Sequence, residues 1–100
     1  MLIAELRNVL KSRFNDFRGL YFFGSQKKNI ATAVSDWDFA IVFDRTIDWK
    51  FKDEVRDILY DMMLKYNIVI DSHIYSVSEL RNPKTPFRES VSRDGIFYAA

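Results

Sequence analysis

An α/β domain, a small mixed β-sheet packed against helices, is what the sequence predicts. Two apolar stripes at helical spacing alternate with three short runs of aromatic and β-branched residues, and no repeat or low-complexity stretch interrupts them. Leu2, Ile3, Leu6, Val9 and Leu10, continued by Phe14 and Phe17, predict an amphipathic helix from about Leu2 to Asn15, with Gly19 releasing the chain. Leu20 to Phe23 is short and continuously apolar, as in a strand covered on both faces, and it stops at Gly24-Ser25. Gln26 to Ala33 reads as a short helix or ordered loop capped by Ser25. Trp37 to Phe43 predicts a second strand, and Asp44 to Asp48 a polar break. Phe51, Val55, Ile58, Leu59, Met62 and Met63 mark a long helix. Asn67 to Ser76 predicts a third strand, with Ile68, Ile70, Ser72 and Ile74 on one face and Val69, Asp71, His73 and Tyr75 on the other. Ser78 to Asn82 suits one helical turn ended by Pro83. Thr85-Pro86 then starts a last helix that Gly95 stops, and the apolar tail from Ile96 to Ala100 has to pack on the domain or on a partner.

One hundred residues predict a single domain spanning 1–100 with one core. Hydrophobic residues at 48%, nine Phe among them, are too many for a disordered chain. A net charge of +1 supplies no field for strong nucleic-acid or membrane-surface binding. The absence of cysteine excludes disulfides and thiolate metal sites. The charged residues Glu5 and Arg7 break the N-terminal apolar pattern, which reads as neither signal peptide nor membrane span, so a cytoplasmic protein is expected.

The chemistry concentrates around Ser35-Asp36-Trp37-Asp38, nine residues after Ser25. On an extended chain Asp36 and Asp38 share a face while Trp37 points away, and two adjacent carboxylates invite a hard, oxygen-seeking divalent cation. Gly24 admits a phosphate close to the backbone, Ser25 offers a hydroxyl, and a helix starting there presents free N–H groups. Asp71 on the third strand is a candidate third metal ligand and proton acceptor, or an edge-strand charge that discourages aggregation. Lys27 and Lys28 suit the outer phosphates of a nucleotide and are equally at home as solvated loop charges.

The stretch from Phe23 to Phe43 resembles the DNA polymerase β-like nucleotidyltransferase superfamily, whose pattern is Gly-Ser, a spacer, then Ser-Asp-x-Asp. With only this core and Asp71 on a later strand, the chain is similar to the minimal nucleotidyltransferases, and Thr85 to Arg88 and Arg93 to Ile96 are similar to their C-terminal end. The resemblance implies a polymerase β palm-like core. It also implies Mg2+ held by Asp36, Asp38 and Asp71, with ATP bound through Gly24, Ser25, Lys28 and Ser35. It further implies AMP transfer to a tyrosine of a small helical HEPN-type toxin, with the chain as antitoxin in a homo- or hetero-oligomer. Two alternatives are an antitoxin that neutralises by contact without catalysis, and an enzyme acting on aminoglycoside-like small molecules. Members often carry Ala-Arg-Gly where this chain has Lys27, Lys28 and Asn29; Lys28 keeps the charge without the planar fork of arginine, and Asn29 is the commonest stand-in for a left-handed glycine.

Asp44 lies six strand residues beyond Asp38, about 20 Å at ~3.3 Å per residue, too far to share a metal. Asp44 and Asp48 are therefore expected to cap or punctuate the turn before the long helix. His73 shares a face with Asp71, where a structural hydrogen-bonding role is the ordinary one.

Overall fold

The structure, a computed structural model of the chain, describes residues 2–23, 36–81 and 95–100. The elements are α1 (Leu2–Arg13), β1 (Phe17–Phe23), β2 (Asp36–Phe43), α2 (Trp49–Tyr66), β3 (Val69–Ser76), α3 (Val77–Arg81) and β4 (Ile96–Ala99). The four strands form one mixed sheet in the order β3-β2-β1-β4. Parallel pairing of β2 with β3 follows from the α2 crossover, whereas β1 is antiparallel to both β2 and β4.

Both long helices cover one face. Leu2, Leu6 and Leu10 of α1 and Phe51, Val55, Ile58, Leu59 and Met62 of α2 pack on Leu20, Phe39, Ile41, Phe43, Ile70 and Ile74 of the sheet. Period-two alternation therefore sends positions 38, 40, 42, 71, 73 and 75 to the opposite face. Edge-to-face contacts of Phe14 with Phe43 and Phe51, at 5.5 and 5.1 Å between ring centroids, tie the end of α1 to β2 and α2.

Element ends have local causes. Asp48 caps α2, its carboxylate accepting the Phe51 backbone N–H at 2.8 Å. Asn67 ends the helix in the left-handed conformation at φ 53°, its own N–H returning to the Met63 carbonyl. Ser76 and Glu79 form a capping box on α3: the Glu79 N–H donates to Ser76 Oγ at 3.2 Å and the Ser76 N–H to Glu79 Oε1 at 3.1 Å.

Three expectations change. Phe17 continues no helical stripe but opens β1, because the helix stops at Arg13 and the Phe17 ring is needed in the core. Gly19 does not release the chain: it sits inside β1 at φ 146°, next to a register shift between Phe17 and Gly19, where only glycine lets β4 approach. The apolar tail is itself a strand, β4, paired with β1 from Gly19↔Ala99 to Phe22↔Ile96. The expected segment from Gln26 to Ala33, the turn end at Asn82 and the helix begun at Thr85-Pro86 lie outside the described residues.

Candidate active site

Parallel pairing of β2 and β3 places Asp38 directly opposite Asp71, and Asp36 opposite Val69. Neighbouring strands stand about 4.8 Å apart, so two carboxyl-bearing positions share one edge of the open face. The same register sets His73 opposite Ala40, one pleat repeat further along. Its ring lies parallel to that of Tyr75, with centroids 6.4 Å apart and planes 10° from each other. On the other flank β1 ends at Phe23, paired with Asp38, so the first strand stops beside the acidic positions.

Asp71 is exposed and Asp38 half-buried, which leaves the pair open to a solvent-borne ligand while its backbone is held by the sheet. All the donors are carboxylate oxygens, the set a hard cation such as Mg2+ prefers. Among the described side chains no group of three His, Cys, Asp or Glu comes together as a metal site. The Asp36 side chain is outside the described set, as are Gly24, Ser25, Lys27, Lys28 and Ser35. Like charges directly opposite each other destabilise a sheet, so the Asp38–Asp71 register is costly to the fold unless a cation offsets it.

Asp44 and Asp48 belong elsewhere. Asp44 pairs with Arg18 at 3.2 Å beyond the far end of β2, and Asp48 is the helix cap. That far end also holds the largest cavity lined by described residues, about 610 Å³ between Asp44–Ile47 and Ser76–Arg81. Its polar groups are occupied by the α3 capping box and it lies six strand residues from Asp38, so it is not where the carboxylates act. A smaller groove, about 520 Å³, does reach the site: Asp71 lines it together with Ile70, Arg56, Tyr60 and Met63. No sequence pattern pointed to that groove, since it exists only where α2 packs beside the edge strand. No helix among the described residues is long and apolar enough to cross a membrane.

Comparison with known proteins agrees with this geometry. A toxin–antitoxin crystal structure with AMP-PNP superimposes with a TM-score of 0.70 at 20% identity, covering 97% of this chain and 72% of that one. A mutant of the MntA–HpeT toxin–antitoxin gives 0.66 at 18% identity over 94% of this chain and 69% of that one. A structure from Shewanella oneidensis gives 0.63 at 19% identity, over 96% and 67% respectively. At these identities the likeness is one of fold. No curated protein sequence matches. The family model described as polymerase beta, nucleotidyltransferase, matches residues 4–97. Nearly the whole chain is thus accounted for by one family, and it belongs to the polymerase β nucleotidyltransferases.

Proposed function

We propose that the chain is a magnesium-dependent nucleotidyltransferase that moves AMP from ATP to a tyrosine hydroxyl of a small helical HEPN-type toxin, acting as its antitoxin in the cytoplasm. The observation that carries this reading is the register of Asp38 against Asp71, which puts a third family-type carboxylate next to the Asp-x-Asp pair. Asp36, Asp38 and Asp71 hold Mg2+, which supplies neutralisation of phosphate charge when bound. Gly24, Ser25, Lys28 and Ser35 hold the triphosphate, as the sequence pattern implies. Asp71 takes the proton of the acceptor hydroxyl; that oxygen bonds to the α-phosphorus as the bond to the β-phosphate bridging oxygen breaks, and pyrophosphate leaves with the electron pair.

A protein acceptor is supported by the solved neighbours, whose titles describe toxin–antitoxin pairs, one with AMP-PNP and one substituted at two aspartates separated by a single residue. That spacing is the spacing of Asp36 and Asp38. Incubating the chain with its partner toxin, Mg2+ and α-labelled ATP is expected to label the toxin, and Asp38→Ala to abolish the label. Labelling that persists in Asp38→Ala would overturn the assignment. The contact-only alternative is favoured by one feature, Lys28 where family members often carry arginine. It predicts that Asp38→Ala neutralises the toxin as well as the parent does, and only at stoichiometric amounts.

A further inference from the structure

The core side of α2 is Phe51, Val55, Ile58, Leu59 and Met62, yet its outer side also carries large apolar residues. Trp49, Tyr60 and Leu64 are 69%, 51% and 68% exposed. With 3.6 residues per turn, Tyr60 and Leu64 are one turn apart and Trp49 falls on the same line about three turns earlier. Asp53, Asp57 and Asp61 follow one another at four-residue spacing along one side of that line, all exposed. The interspersed base, Arg56, stands 3.9 Å from Asp53. Along the other side runs the groove of about 520 Å³ between α2 and β3, and Asp71 belongs to both that groove and the candidate active site.

Scattered apolar residues on a surface need no explanation, but an aligned set beside an acidic row marks a binding face. Solubility and helix propensity would both favour Lys, Glu or Arg over Trp and Tyr at such positions. Acidic neighbours four apart also repel one another in the free helix, a repulsion that a basic partner relieves. We infer that the outer face of α2, with the groove beside it, docks the protein that presents the acceptor hydroxyl. The occupant is an amphipathic helix of that protein, its apolar side on Trp49, Tyr60 and Leu64 and its Lys or Arg residues facing Asp53, Asp57 and Asp61. The identity of this occupant rests on the protein-directed reaction proposed above. Continuity of the groove with Asp71 explains why docking here serves that reaction: a segment lying in the groove ends at the carboxylates.

The test measures binding of the purified partner toxin by calorimetry without nucleotide, so that it reads docking apart from chemistry. The parent is compared with Tyr60→Ala/Leu64→Ala and Asp57→Lys/Asp61→Lys, with Arg13→Glu on α1 as a control and circular dichroism to check folding. Both double variants are expected to weaken Kd by about tenfold or more, and the control to leave it unchanged. Parent affinity is expected to fall between about 50 and about 300 mM salt, and that of the lysine variant to fall less. Unchanged affinity in the lysine variant, whose exposed positions do not depend on core packing, or no binding by the parent, overturns the docking face. If instead the affinities respond as expected while no toxin is labelled by the parent, the docking face stands and the transfer reaction falls.

Discussion

Gly19 shows how much one residue position decides. A Cβ built there would lie 2.6 Å from Phe97 Cζ and 2.7 Å from the Tyr98 carbonyl oxygen, at a φ of 146° that L-residues rarely adopt. Gly19→Ala is expected to cost about 1–3 kcal/mol from backbone strain, with further loss as β4 is pushed off β1. Thermal unfolding checks the first part, and faster amide exchange at Phe97 and Ala99 the second; an unchanged melting temperature would refute it. Asp48→Ala is expected to lose about 1 kcal/mol by removing the α2 cap, measured in the same way. The contrast between the two residues says what the sequence makes legible. Asp48 was readable because a cap acts on the residues just after it. Gly19 was misread as a release point because its constraint comes from Phe97, far along the chain, and no local pattern encodes that approach.

At the scale of elements, α1 and α2 are joined by a polar strap as well as by the core. The Glu5 carboxylate accepts hydrogen bonds from Lys65 Nζ at 2.6 Å and from Tyr66 Oη at 2.7 Å. The Lys65 bond, then that of Tyr66, holds Glu5 below its usual 4.5; its bond to Glu5 raises Lys65 above 10.5, and Tyr66 rises above 10.0 for the same reason. A depressed carboxyl stabilises the fold above its unfolded value and loses that contribution as pH falls through the folded one, so the acid limb lies below about pH 4.5. Raised Lys65 and Tyr66 contribute fully below their unfolded values and lose that contribution as pH rises through the folded ones, above about pH 10. Melting temperature against pH is therefore expected to flatten at both limbs in Glu5→Gln, and an unaltered profile would count against the strap. Amphipathic stripes made the helices and the two inner strands legible. The β1–β4 pairing was not, because an apolar tail of five residues fits a strand, a helix end or a docked coil equally well until its partner is known. The Asp38–Asp71 register had the same limit: both residues were singled out, but their exact opposition is fixed by how α2 returns the chain to β3.

For the molecule as a whole, the candidate site and the stability of the sheet pull in opposite directions. Two carboxyl positions face each other across the β2–β3 pair, in a fold whose total stability is expected to be only about 5–15 kcal/mol. Asp71→Asn removes one of the two charges without changing side-chain size, and is expected to raise the metal-free stability by up to about 1 kcal/mol. A cation held by the native fold and not by the unfolded chain adds roughly 2.7 kcal/mol at a concentration one hundred times its Kd. In a domain of this size each kcal/mol moves the melting temperature by about 4–8 °C, so both effects are measurable by a thermal scan. The parent is expected to melt lower than Asp71→Asn without magnesium and to gain on it as magnesium is added, while the variant responds weakly. Calcium as a second oxygen-seeking cation should act in the same direction, and potassium chloride at matched ionic strength should not, which separates site binding from general screening. If Asp71→Asn gains as much from magnesium as the parent, Asp71 holds no cation, and its place opposite Asp38 is a cost to the sheet that the proposed chemistry does not explain.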